Sequence, residues 1–128
     1  MPVREEFPRD NLIVLRFSDV ITLDEWQAMG KRCEPYFAQS KSPVHIIVET
    51  SEVTRVPPKM LSFLYSDTTG MRSNPALGIV VIAGASTLIN AIMRAFSKLL
   101  PDGKLCFTDT IDEAFALVDQ TDSLEGSG

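Results

Sequence analysis

Short runs of β-branched and other apolar residues alternate along this chain with longer stretches in which apolar residues recur at helical spacing. The clearest run is Leu77–Ala83, which is apolar on both faces and is therefore expected inside a sheet. Val44–Glu49 is a second strand of this kind, and Lys104–Phe107 is a short last strand. Because strands separated by helices pair in parallel through crossover connections, the chain is predicted to fold as an α/β domain.

The N-terminal region predicts an antiparallel edge for this sheet. Val3–Phe7 and Leu12–Phe17 are strand candidates, separated by Pro8 and by a turn at Asp10 and Asn11. The first candidate is short and charged, as edge strands often are. The resulting order ββαβαβαβα predicts a mixed, mostly parallel five-stranded sheet with about four helices.

Capping residues mark the expected helix boundaries. Thr22–Glu25 and Thr110–Glu113 match the capping box, in which a threonine hydroxyl and a glutamate side chain satisfy free backbone N–H groups. Ser86 is a candidate cap for the helix that follows the strongest strand. Pro35 removes one hydrogen bond from the first helix, so a kink or an early end is expected there. A further short helix is predicted at residues 59–66, directly after two prolines.

The composition is that of one ordinary globular domain. Of the 128 residues, 45% are hydrophobic and 23% are charged, which is unlike the low hydrophobicity and high charge of disordered chains. No internal repeat or linker divides the sequence, so one domain is predicted at residues 1–120. Residues 121–128 are small and polar, and they are expected to form a flexible C-terminal tail.

Charge and hydropathy narrow the possible partners. The net charge is −5, and the 12 basic residues are scattered from Arg4 to Lys104, so the clustered cations that bind nucleic acid are missing. The longest apolar run, Leu77–Ala85, falls far short of the ~20 residues that cross a bilayer, and no signal peptide is recognisable. We therefore expect a cytoplasmic protein with no nucleic-acid partner and no membrane span.

The residue types that usually carry catalysis or bind metals are few and isolated. His45 is the only histidine and stands between Val44 and Ile46, which favours a hydrogen-bonded sheet histidine over an acid/base or metal-binding one. Cys33, on an apolar helix stripe, and Cys106, in a strand, are expected to be small buried hydrophobes. No catalytic residue, metal site or cofactor is predicted, so an enzyme is not expected; acid/base chemistry by carboxylates alone stays open.

The segment Met60–Tyr65 is the least ordinary feature of the sequence. Apolar residues occupy more than one face of this short predicted helix, so it must be buried on several sides or must meet a partner. Methionine and aromatic residues are also common in the cores of interfaces. Two interpretations stay open: the segment packs under the loop Thr68–Pro75, or it forms a docking or dimer surface.

The layout resembles the STAS domain, and in particular its anti-sigma-factor antagonist-like branch. The resemblance extends from about Val3 to Asp119 and rests on a pattern of elements rather than on an invariant motif. The segments that carry it are Leu12–Thr22, Val44–Val53, Ile79–Ala83, Lys104–Phe107 and Asp109–Val118. It implies the mixed α/β sheet inferred above and a role in protein–protein interaction and signalling.

One motif of that family is missing here. The signalling members that this chain resembles carry an Asp-Ser-Ser-Gly-type loop, in which a partner kinase phosphorylates a serine. Pro58 and Lys59 stand at the corresponding place, and the nearby hydroxyls of Ser51, Thr54 and Ser62 do not match the motif. The resemblance therefore implies the fold and the binding role, but not a phospho-switch at the usual site.

The favoured function is a non-enzymatic STAS-like interaction module that docks a protein partner or a second copy of itself. The residues expected to line the docking surface are Arg55, Lys59, Met60, Phe63, Leu64 and Tyr65, the first two as its charged rim. The alternative is a carrier or sensor for a small molecule or lipid, with an apolar pocket under the helix at residues 59–66.

Overall fold

A computed structural model of the chain describes residues 3–20, 22–40, 43–55, 76–96 and 104–126. The strands are β1 (Val3–Arg9), β2 (Leu12–Val20), β3 (Val44–Arg55), β4 (Leu77–Ala83) and β5 (Leu105–Thr108). The helices in these residues are α1 (Leu23–Gln39), α2 (Thr87–Phe96) and α3 (Ile111–Gly126). The further helix predicted at residues 59–66 lies outside the described residues.

The strands form one sheet in the order β1-β2-β3-β4-β5. β1 runs antiparallel to β2, and the other neighbouring pairs are parallel. The N-terminal hairpin turns at Asp10 and Asn11 as predicted, and its register shifts between Glu6 and Arg9, around Pro8. The predicted α/β fold with a mixed, mostly parallel five-stranded sheet is therefore confirmed.

Helices cover both faces of the sheet, and the alternation of side chains along each strand divides the core in two. In β2, Ile13 and Leu15 belong to the cluster formed with α1 and α2, whereas Leu12 and Val14 belong to the cluster formed with α3. None of these four side chains exposes more than 2% of its surface. A strand buried on both faces has no polar face to alternate with, which explains the continuous apolar runs in the sequence.

The helices begin at the capping residues found in the sequence. The hydroxyl of Thr22 accepts a hydrogen bond from the backbone N–H of Glu25 at 3.2 Å, at the start of α1. At α3 both arms of the box are formed: the N–H of Glu113 donates to the Thr110 hydroxyl at 3.2 Å, and the N–H of Thr110 donates to Oε1 of Glu113 at 3.1 Å. Each arm satisfies a backbone donor that helix geometry leaves free, so these residues fix where the helices start.

α1 passes through Pro35 and ends at Gln39, so the proline does not end the helix early. Pro35 cannot donate to the carbonyl of Lys31, four residues before it. Both residues are exposed, and water can therefore satisfy that carbonyl. Phe37, just after the proline, exposes only 5% of its surface and anchors this end of the helix in the core.

β3 is longer than the sequence predicts. The strand predicted at Val44–Glu49 is too short, because β3 continues through residues 50–55 and ends at Arg55. The additional residues pair in parallel with the end of β2, where Ser18 is opposite Glu52. Most of these residues are polar, which is typical of a loop. They still form a strand, because their backbone groups pair with β2, and a strand outside the buried centre of the sheet does not need an apolar pattern.

α3 also runs further than the sequence suggests. Residues 121–128 are predicted as a flexible tail, whereas α3 continues through Thr121 to Gly126. The Thr121 hydroxyl donates to the carbonyl of Leu117 at 2.9 Å, and the Asp122 carboxylate binds the side chains of His45 in β3 and Asn11 in the β1–β2 turn. Small polar residues stay helical here because the sheet supplies partners for one of them.

Candidate functional site

The predicted docking residues fall almost entirely outside the described part of the chain. Arg55 is the last residue of β3, and its side chain is not described. The other members of the predicted surface, all outside the described residues, are Lys59, Met60, Phe63, Leu64 and Tyr65. The docking surface therefore stays a prediction, and the structure defines the edge of the sheet from which that segment leaves.

The C-terminal ends of β2, β3, β4 and β5 meet at this edge, which we call the carboxyl edge. Binding sites of open α/β sheets commonly lie at such an edge, in the crevice outside the strand ends. β4 stops pairing with β3 at Ala83, which lies opposite Glu49. Beyond that point β3 continues beside β2, so residues 50–55 project past the end of β4.

The turn after β4 packs tightly against this projection. Gly84 has a φ of 68°, in the left-handed region that favours glycine. A Cβ placed on Gly84 would lie 2.9 Å from the Cβ of Ser51 and 3.1 Å from Oε1 of Glu49, so a side chain does not fit here. The N–H of Gly84 donates to the carbonyl of Thr108 at 3.1 Å. The turn thereby ties β3, β4 and β5 together at the carboxyl edge.

Hydroxyl groups at the carboxyl edge are engaged in holding the structure. The buried Thr50 hydroxyl donates to the carbonyl of Ala83 at 3.2 Å, where the ladder between β3 and β4 ends. The Ser86 hydroxyl accepts the N–H of Ile89 at 3.3 Å and caps α2, as predicted. A catalytic hydroxyl needs an adjacent base to activate it. Thr50 and Ser86 contact backbone groups instead, so these two hydroxyls have a structural role.

An exposed apolar side chain lies at the same edge. Leu88, in the first turn of α2, exposes 60% of its surface. Phe7, the other large hydrophobic side chain exposed among the described residues, exposes 39% and stacks on Tyr36, with the ring centroids 4.0 Å apart. Leu88 follows closely after the Gly84 turn, so it adds apolar surface to the carboxyl edge.

A cluster of polar side chains lies at the end of the sheet opposite the carboxyl edge. His45 is fully buried in β3, at 0% exposure. Its Nδ1 accepts the backbone N–H of Ile79 in β4 at 3.0 Å, and its Nε2 lies 2.8 Å from Oδ1 of Asp122 in α3. The side-chain amide of Asn11, in the β1–β2 turn, donates to both carboxylate oxygens of Asp122, at 3.2 and 3.3 Å. The β1–β2 turn, β3, β4 and α3 therefore meet at one histidine.

The charge of Asp122 fixes the tautomer of His45. Burial raises the pKa of Asp122, but the hydrogen bonds from His45 and Asn11 and the nearby charge of Arg9 outweigh it, so the pKa lies below its ordinary value of 3.8. An ionised carboxylate only accepts hydrogen bonds, and Nδ1 already accepts from Ile79, so the ring proton lies on Nε2. Both ring nitrogens are engaged, which confirms the interpretation of His45 as a hydrogen-bonded sheet histidine.

The cysteines are poor nucleophiles in this fold. Burial, with a further contribution from the charge of Glu5 and an opposing one from Arg32, raises the pKa of the Cys33 thiol to about 12. Burial also raises the pKa of the half-buried Cys106 in β5. Because the thiolate is the reactive form, neither thiol is poised for covalent chemistry at neutral pH.

Two kinds of site are missing from the part of the chain that the structure describes. Its histidine, cysteine, aspartate and glutamate side chains form no group of three that could hold a metal ion. None of its helices combines the length and the apolar character needed to cross a membrane.

Comparison with solved structures decides the fold. The anti-sigma factor antagonist SpoIIAA in its unphosphorylated form matches with a TM-score of 0.66 at 11% identity, over 91% of this chain and 97% of that chain. A protein with a SpoIIAA-like fold from Shewanella loihica matches with a TM-score of 0.64 at 16% identity, over 90% of both chains. An anti-sigma-factor antagonist (STAS) domain protein from Planctomyces limnophilus matches with a TM-score of 0.56 at 9% identity, over 91% of this chain and 97% of that chain. The chain has the STAS fold.

The STAS fold is recognised here by shape and not by sequence similarity. No protein-family model matches the sequence, and no curated protein matches it significantly. The pattern of strands and helices nevertheless predicts the same fold, because that pattern follows from burial and capping rather than from particular residues. At these identities the STAS fold is what the comparisons establish, and the binding role follows below as a proposal.

Asp122, the partner of His45 in this STAS fold, was not predicted from the sequence. The two residues lie 77 positions apart, and composition places Asp122 in a polar tail. One signal could have found it. Ala114, Val118 and Asp122 recur at i, i+4 spacing, so a helix that buries the first two turns the carboxylate toward the sheet. Ala114 and Val118 are both fully buried.

Proposed function

We propose that this chain is a non-enzymatic regulatory module that acts by docking a protein, either a different partner or a second copy of itself. The observation that supports this most is the STAS fold, shared over 91% of the chain with a structure described as an anti-sigma factor antagonist. An antagonist of another protein acts by binding, and the same mode of action is proposed here.

The state of the reactive groups favours binding over catalysis. Both nitrogens of His45 are occupied by Ile79 and Asp122, so the imidazole has no free position from which to move a substrate proton. Among the described residues the cysteine thiols have raised pKa values, which keeps them protonated. Catalysis needs acid/base groups that converge in a pocket, and these groups are instead built into the core.

The proposed docking surface is the segment from Glu52 to Tyr65, together with the carboxyl edge from which it leaves. Its proposed apolar contacts are Met60, Phe63, Leu64 and Tyr65, with Arg55 and Lys59 at the charged rim. Two described features favour this edge: β3 projects past β4 there, and Leu88 exposes 60% of its surface beside it. An apolar centre with a charged rim is the usual anatomy of a protein interface.

We further propose that phosphorylation at the usual STAS position does not switch the docking. Pro58 and Lys59 stand where the signalling members resembled by this chain carry a serine. Neither residue has a hydroxyl that a kinase could modify, so control must come from elsewhere, such as competition between partners for the same surface.

Exchanging both Phe63 and Leu64 for aspartate tests the docking surface. Each buried interface anchor contributes about 2 kcal/mol or more, which is about thirtyfold in affinity, so the loss of both is expected to weaken docking by well over thirtyfold. The measurement is affinity capture of partners by the immobilised chain, with the oligomeric state followed by light scattering. Circular dichroism reports whether the variant has kept its fold.

A matched control carries the same charge change on another surface. Gln27 and Ala28 are adjacent and exposed on α1, so Gln27→Asp with Ala28→Asp should leave capture and oligomeric state unchanged. A folded Phe63→Asp/Leu64→Asp variant with unchanged partners and unchanged oligomeric state would show that the surface lies elsewhere.

A further inference from the structure

The buried apolar side chains described in α3 are followed by a polar stretch, residues 119–123. Ala114 and Val118 are fully buried against the sheet. None of the described side chains that follow, at residues 119–123, is buried, although α3 continues to Gly126. Residues without buried apolar side chains gain little stability from the core, so polar contacts matter most for holding residues 119–123 in place.

Those polar contacts are concentrated on one carboxylate. Asp122 binds the imidazole of His45 and the amide of Asn11, as described above. Asp119 pairs with Arg9 at 2.9 Å, but both side chains are well exposed, at 62% and 40%, so this pair contributes little. The bond to His45 differs because one partner is fully buried and the other is ionised, which makes it both stronger and more costly to lose.

The orientation of the His45 imidazole is fixed by its contacts with β4. Nδ1 accepts the N–H of Ile79, and the ring fills the space that a side chain at position 78 would take, because Gly78 lies directly against it. A ring fixed on one side by β4 presents its Nε2–H to α3 without further ordering. The entropy lost in orienting the imidazole is therefore lost when β3 and β4 pack together, and not when α3 binds.

We propose that His45 and Asp122 form a latch, and that the end of α3 from Asp119 onward opens separately from the rest of the domain when the latch breaks. Local opening of a segment with few buried side chains costs less than global unfolding. A partner that bound the released turns would shift this equilibrium, so the latch gives the domain a second conformational state beyond the docking surface proposed above.

Hydrogen exchange of backbone amides tests the latch in the full chain. Asp122→Ala removes the acceptor at a partly exposed helix position where alanine is well tolerated. Losing a charge-assisted bond to a buried donor is expected to speed exchange of amides 119–123 by about tenfold or more. Exchange of the α1 amides is expected to stay unchanged, because that helix lies on the other face of the sheet.

Asp119→Ala is the matched control, since it removes an exposed ion pair from the same helix and is expected to change exchange less than about threefold. Asp122→Asn keeps an acceptor for His45 and is expected to fall between the wild type and Asp122→Ala. Equal effects of Asp122→Ala and Asp119→Ala would overturn the proposal. Faster exchange in both α1 and α3 would also overturn the proposal. It would show that the contact stabilises the whole fold and does not control a local opening of α3.

Discussion

Replacing Gly78 with alanine is expected to lower the free energy of unfolding by about 2–5 kcal/mol, a large part of the stability of a small domain. Gly78 lies in β4 against the imidazole of His45, and a Cβ there would overlap Nδ1 and come within 3.2 Å of Cγ. The ring is not free to move aside, because Nδ1 is bound to Ile79 and Nε2 to Asp122. The alanine must therefore strain the β4 backbone or break both hydrogen bonds of a buried ring.

Equilibrium urea unfolding measures this loss, and removal of the ring supplies the control. In a His45→Ala background the space beside position 78 is empty, so the same Gly78→Ala change is expected to cost less than about 1 kcal/mol. If the cost were equal in the two backgrounds, the clash with the imidazole would not be its source.

Ile46→Ala and Ile47→Ala are each expected to lower the free energy of unfolding by about 2–5 kcal/mol. Neighbouring residues of a strand point to opposite faces of the sheet. Ile46 exposes 2% of its surface in the cluster with α1 and α2, and Ile47 exposes 0% in the cluster with α3. A sheet covered on both faces makes both truncations costly, because each leaves a cavity in a packed core.

Urea unfolding of the two variants beside Glu52→Ala checks this expectation. Glu52 is exposed in the same strand, so its truncation is expected to change the free energy of unfolding by no more than about 0.5 kcal/mol. A cost for Ile47→Ala as small as that for Glu52→Ala would contradict the packing of α3 on its face of the sheet.

The parts of the fold that follow from burial and capping were predictable from the sequence. The apolar runs at β2, β3 and β4 predict strands buried on both faces, and Thr22 and Thr110 predict the starts of α1 and α3. Both signals are local, since they depend on residues within a few positions of each other. The order of such elements was enough to indicate the sheet and its STAS-like layout.

The parts that depend on distant partners were not predictable in the same way. The polar end of β3 is a strand because β2 pairs with it, and residues 50–55 alone are typical of a loop. The end of α3 is helical where the composition indicates a tail, and Asp122 finds its partners in Asn11 and His45, far away in the sequence. Composition indicates the secondary structure that a residue prefers by itself. It does not show the distant contacts that can outweigh this preference.

For the candidate site, the sequence predicted that His45 is a hydrogen-bonded residue of the sheet, but not which groups it binds. A lone histidine in an apolar strand predicts a satisfied core residue, and its two hydrogen bonds confirm this. The docking surface in the segment from Glu52 to Tyr65 stays a prediction from an excess of apolar residues. What the structure adds is the carboxyl edge beside it, with the projecting end of β3 and the exposed Leu88.

Native mass spectrometry of the purified chain tests the central claim, that this domain docks proteins and does not carry a small molecule. A docking domain is expected to give a mass equal to that of the chain alone, with either a dimer peak or a new complex when a captured partner is added. A lipid or other apolar molecule retained on most of the chains would contradict it and would favour a carrier or sensor with an apolar pocket.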